Sequence, residues 1–232
     1  GLLAALGAST VQAADVYLRA ESFTKTLPAG AGTQIVTMWG FSSCNSDFSV
    51  CGTPSSPGPE IVVPHDDATG PGGVSSLTIH LLNGLTGPTA EATSVMIPGQ
   101  TRPMIPQTST DGLLRSRIRA FDVEAAVGGA PVDYTWSDLR PGTYLYQSAS
   151  HVQLQVQMGL YGAMVHDAAA GEAYAGVPYS RSKTVVFSEI DPALHDPVPK
   201  AANLTVGGYR PTFFLLNGDP FASGNSIAAQ GD

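Results

Sequence analysis

The sequence predicts an all-β protein, and three observations carry that prediction. Charged residues make up only 13% of the 232, while 26 are Gly and 18 are Pro. Such a chain is too apolar for disorder and too rich in turn formers for a helical bundle. Short apolar segments with period-two alternation recur along it, bounded by Gly, Pro, Asn or Asp. No segment holds a sustained 3.6-residue period, so any helices are short.

Taken in order, Val16 to Glu21 reads as the first strand, with Val16, Leu18 and Ala20 on one face. Ile35 to Phe41 and Glu60 to Val63 follow, separated by a loop holding both cysteines and by the turn Ser56-Pro57-Gly58-Pro59. Leu77, Ile79 and Leu81 alternate with Thr78 and His80 and stop at Asn83-Gly84, the pattern of a half-buried strand. His80 falls on its polar face and reads as a solvated residue. Arg117 to Glu124 and Val132 to Trp136 are two further strands joined through Gly128-Gly129, and Thr143 to Gln147 is a short aromatic one. Val152, Leu154, Val156 and Met158 alternate with His151, Gln153, Gln155 and Gln157, which reads as another strand. Leu160 to Val165 closes the domain.

After Asp167 the composition changes. The stretch AAAGEAYAGVPYS reads as a loop or linker, Thr184 to Ile190 as a new strand, and Phe213 to Leu216 as an apolar strand ending at Asn217-Gly218. The expected organisation is therefore a domain over 14–167, a linker over 168–179, and over 180–232 the opening strands of a second, incomplete domain. Residues 1–13 carry an apolar run from Leu2 to Ala8 followed by Val11-Gln12-Ala13, the h-region and cleavage site of a secretory signal remnant. The alternative for that run is a buried first strand, for which Gly and Ala are poor material. The expected location is exported, periplasmic or extracellular, and the run is too short to span a bilayer. Cys44 and Cys51 flank NSDFSV without a nearby His, so a disulfide is the better reading and metal ligation the alternative.

A net charge of −8 with 11 basic residues makes a poor polyanion binder, so no nucleic acid is expected. The chain has no G-x-S-x-G elbow, P-loop, H-E-x-x-H or G-x-G-x-x-G fingerprint. The acidic pair Asp66-Asp67 reads as a solvent-facing turn, with Ca²⁺ as the alternative. No catalytic residue and no cofactor-binding residue is expected in this chain.

The strings GPEIVVP, LTIHLLNGL, ATSVMIPGQ, PGTYLYQS and QMGLYGAMV occur in that order. Together they resemble the first domain of the multicopper oxidases over Val16 to Val165. VVFSEIDPALH followed by FFLLNGDPF resembles the start of that family's second domain. The resemblance implies a cupredoxin-like Greek-key β-sandwich, with the opening strands of a second cupredoxin domain. It implies copper in the parent protein, later cupredoxin domains of the same chain as partners, and oxidation of substrate coupled to O₂ reduction. The forms IPGQ and YQS resemble large bacterial members, some of them manganese-oxidase-like.

That family holds its trinuclear copper cluster with eight histidines in His-x-His pairs, and imidazole suits copper. This chain departs from the pattern. Before Gly99 it places Met96 and Pro98, and after Tyr146 it places Gln147. Its five histidines are His65, His80, His151, His166 and His195, and no two are spaced as His-x-His. His151, at the family's distance from Gln155 and Gly159, corresponds to the second ligand of a pair once two extra residues are allowed after Ser148. It is the one candidate metal ligand. Met96 reads as a core residue, and the other histidines as loop or surface residues. The expectation is a scaffold that lacks most copper ligands and binds no copper alone, with a copper-free binding module as the alternative.

Overall fold

Leu77, Ile79 and Leu81 point into the interior with no exposed surface, while Thr78 and His80 stand on the other side. Alternation of this kind recurs through a computed structural model of the protein, which describes residues 13–29, 32–65, 75–110, 112–195 and 208–220. The expected signal remnant up to residue 12 and the Asp66-Asp67 turn lie outside these residues.

Two four-stranded mixed sheets face each other. The first has the order β2-β1-β4-β8, with β1 Ala13–Ala29, β2 Gly32–Ser43, β4 Ser76–Asn83 and β8 Val132–Trp136. The second has the order β3-β10-β9-β5, with β3 Ile61–Val63, β5 Val95–Met96, β9 Gly142–Ser148 and β10 Tyr161–His166. Between them lie Leu18, Phe41, Ile79, Trp136, Tyr146 and Met164, all buried in one core. Burial of that many large apolar side chains holds the sandwich without metal.

The first strand is much longer than the sequence suggests. Its pairing with β4 ends at Ala20, yet its pairing with β2 runs on to Ala29. The β1–β2 hairpin therefore overshoots the sandwich as an arm. Leu27, Val36 and Met38 on this arm are buried against Ile190 and Leu215 in a second, separate cluster. Those two residues belong to a three-stranded sheet of β13 Phe187–Ile190, β14 Phe213–Leu216 and β15 Asp219–Pro220. Asn217 and Gly218 both have positive φ, as the tight turn between antiparallel strands requires. A Cβ on Gly218 would meet the Ser56 carbonyl oxygen at 2.6 Å, so only glycine lets this turn approach the sandwich.

Three segments differ from expectation. Residues 152–158 form a helix, α1 Val152–Met158, and not a strand. It buries Leu154, Gln155 and Met158, the helical i, i+1, i+4 set, and Gly159 ends it with φ 118. Apolar alternation with glutamines fitted both periods, and burial of Gln155 selected the helical one. The stretch read as linker contains a hairpin, β11 Glu172–Tyr174 with β12 Val177–Pro178. An exposed hairpin, β6 Gln107–Thr110 with β7 Ser116–Ala120, stands off the sandwich before β8. No helix among the described residues is long and apolar enough to cross a membrane.

Candidate functional site

The resemblance directs attention to the second sheet, where β5 and β9 run antiparallel. Their register sets Met96 opposite Gln147, and that of β9 with β10 sets Gln147 opposite Tyr161. Neighbouring Val95 and Tyr146 are buried in the core, so this row stands on the outer face. Met96 is half-buried on that face, not the core residue the sequence suggests. Pro98 follows beyond the strand and is exposed. The two positions assigned to ligand pairs thus do meet in space, and they carry a thioether and an amide.

His151 lies after β9, where it caps α1 with φ 38 and ψ 52, in the left-handed region. Histidine is among the few non-glycine residues enriched there. Its backbone N–H donates to the Arg119 carbonyl at 2.8 Å, and its own carbonyl accepts from Leu154 and Gln155. The imidazole Nδ1 reaches Glu91 Oε1 at 3.0 Å. Burial pushes the Glu91 carboxyl up, but hydrogen bonds from His151 and Gln155 and the charges of His151 and Arg119 outweigh it. The carboxyl is held below its ordinary value. The Glu91 carboxylate accepts from Nδ1 and so fixes the orientation of the His151 ring.

Around this pair the polar groups satisfy one another. Gln155 Nε2 donates to Glu91 Oε1 at 2.8 Å and to the Ala92 carbonyl at 2.9 Å. Its Oε1 accepts from Thr93 Oγ1 at 2.7 Å and from Ser148 Oγ at 2.6 Å. All four hydrogen-bonding capacities of that buried amide are filled. Arg119 completes the group, reaching Glu91 at 3.3 Å and Glu124 at 3.2 Å. Glu91, Thr93, Arg119 and Gln155 had no motif to announce them. The nearest sequence signal is Glu91 itself, one acidic residue in a run of Thr, Ala and Ser.

The other histidines are placed structurally. His80, expected to be solvated, is held between carboxylates, with Nδ1 2.6 Å from Asp133 and Nε2 3.3 Å from Asp15, and it stacks on Tyr17 at 4.4 Å. His166 is buried with Nδ1 3.3 Å from the Val63 carbonyl, and His65 is half-buried after β3. His195, expected in a surface loop, is buried. Its Nδ1 donates to the Thr37 carbonyl at 2.8 Å, which leaves Nε2 to accept from Gln157 Nε2 at 3.2 Å. Desolvation lowers its pKa against the opposing hydrogen bond to Thr37 and the charge of Asp191.

Copper is the metal that the resemblance implies, and these residues do not fit a trinuclear cluster. Among the described residues no group of three or more His, Cys, Asp or Glu side chains is placed so that it could hold a metal ion. Cys44 and Cys51 are joined as a disulfide and offer no thiolate.

The chain matches no family model and no curated protein. Its similarities are to solved structures. The multicopper oxidase mgLAC superposes with a TM-score of 0.57 at 14% identity, over 90% of this chain and 54% of that one. The blue copper oxidase from Nitrosomonas europaea gives 0.55 at 13% identity, over 90% and 54%. Fet3p, a multicopper oxidase that functions in iron import, gives 0.52 at 18% identity, over 90% and 33%. The fold is cupredoxin-like. At these identities the likeness speaks for architecture, and the chain spans about half or less of those proteins' length.

Proposed function

We propose that this chain is the N-terminal portion of an exported multicopper oxidase, its sandwich acting mainly as a scaffold beside copper-bearing domains. The observation that carries the scaffold role is the pairing of Met96 with Gln147. A thioether is a soft, weak ligand and an amide is no substitute for imidazole. The parent would couple substrate oxidation to O₂ reduction, with later cupredoxin domains of the same chain as partners. Supporting this are the ordered motif strings, the cupredoxin-like fold and the packing of β13–β15 as a separate unit on the β1–β2 arm. Export is supported by the Cys44–Cys51 disulfide, which persists in oxidising compartments. The manganese-oxidase-like subtype rests on IPGQ and YQS alone.

A copper-free binding or structural module is the second reading, favoured by the mutual satisfaction of Glu91, His151 and Gln155. The downstream reading frame separates the two. His-x-His pairs and a His-Cys-His segment there support the oxidase, and continuation without them leaves the module. For the chain itself, metal analysis after Cu(II) loading and desalting should give well under one copper per chain. Near-stoichiometric copper that disappears in His151→Ala would overturn the scaffold role and make His151 a ligand.

A further inference from the structure

Between the outer face of β9 and β10, helix α1 and strand β13 lies a cleft of about 210 Å³. A single water needs only ~10–15 Å³, whereas drug-sized ligands occupy pockets of ~300–1,000 Å³. The occupant is therefore small. Tyr161, Tyr209 and Phe187 give the cleft three aromatic rings, Glu189 gives it a carboxylate and Gln147 an amide. Phe187 is 76% exposed, so its ring is open to a ligand in the cleft.

The polar groups are arranged but not used up. Tyr209 and Glu189 line the cleft together, and burial together with that carboxylate pushes the Tyr209 phenol up, so the hydroxyl stays protonated. Gln147 and Tyr161 line the same space, and the Tyr161 phenol interacts electrostatically with that of Tyr209. Ser188 Oγ, on the same wall, is buried without a partner. No Lys, Arg or His lines the cleft. The guanidinium of Arg210, next along the chain, rests on the Tyr209 carbonyl at 2.8 Å.

These features select by charge and softness. An anion would meet Glu189 and the negative faces of three rings. A hard metal ion would find one carboxylate where it needs six or more oxygens or tight octahedral geometry. A neutral apolar molecule would leave Glu189, Gln147 and Ser188 without partners. An organic ammonium ion spreads its charge over an apolar, weakly hydrated shell that ring faces attract and a carboxylate neutralises. The chain's net charge of −8 also concentrates cations near its surface.

We propose that this cleft binds a small organic ammonium ion, with its charge against Glu189 and its carbon shell against Tyr161, Phe187 and Tyr209. The cleft shares Gln147 and Tyr161 with the row opposite Met96, and the binding proposed for it needs no copper.

The test is an NMR titration of the whole chain with tetramethylammonium chloride, against KCl at matched ionic strength and tert-butanol as a neutral analogue. Saturable shifts of the tyrosine and Phe187 ring signals with tetramethylammonium alone are expected. Glu189→Gln should weaken binding ~10-fold or more, and Phe187→Leu at least ~3-fold, as loss of a cation–π partner requires. Both residues are exposed, so both variants should retain the parent thermal midpoint, and if one does not, the other decides. Shifts that fail to saturate, equal binding of tert-butanol, or unchanged affinity in a folded Glu189→Gln variant would overturn the proposal.

Discussion

His195 donates its Nδ1 hydrogen to the carbonyl of Thr37 across 2.8 Å, joining the segment after β13 to the β1–β2 arm. The ring is buried, neutral and fixed in one tautomer, because Nε2 must accept from Gln157. Desolvation lowers its folded pKa below the ordinary 6.5. Between those two values the unfolded segment binds a proton that the docked one does not. Stability from this group is thus complete above about pH 6.5 and declines as pH falls below it. Protection factors at Ile190 and Leu215, which correct exchange for its intrinsic base catalysis, should fall as pH drops through that window, and His195→Gln should flatten the dependence. Protection factors that do not change with pH in the parent would contradict the docking role.

Gln155 should be costly to replace. Gln155→Leu keeps much of the volume but strips two donors from Glu91 and Ala92 and the acceptor of Thr93 and Ser148. Each buried group left unpaired costs about 1–3 kcal/mol. Urea denaturation should show a loss in the upper part of that range or beyond, while Gln153→Leu, at an exposed position of the same helix, should change little.

Arg102 and Asp122 form an ion pair at 2.7 Å, with Asp122 2% exposed and the guanidinium 5.2 Å from the rings of both Tyr134 and Trp136. Asp122 also accepts the backbone N–H groups of Ile105 and Val123. Removing one partner of a buried pair costs about 3–5 kcal/mol because the other charge is stranded. Arg102→Met and Asp122→Asn should each destabilise strongly in chemical denaturation. The double variant should cost clearly less than the sum.

The Cys44–Cys51 bridge closes a short loop, for which the chain-entropy model gives ~2.5 kcal/mol. Thermal melts with and without reductant should differ by several degrees. Equal midpoints would mean that the hydrogen bonds of the Asn45–Val50 turn hold the loop unaided.

The two cysteines were legible because sequence-local loops leave few alternatives, and Leu77-Thr78-Ile79-His80-Leu81 because a half-buried strand writes its period directly into the chain. The same rule failed at 152–158. There a period of two in Val and Gln also satisfied a helix, and the demand of Glu91 for the Gln155 amide decided between them. That no two histidines are spaced as His-x-His is likewise plain from the chain alone. That Met96, Gln147 and Tyr161 form one row, that His151 turns to Glu91, and that His195 is buried against Thr37 depended on register and packing between residues far apart in the chain. Side-chain period along a strand is a local property. Which strand lies beside it, and so which groups share a charge or a hydrogen bond, is fixed only when the sheets close.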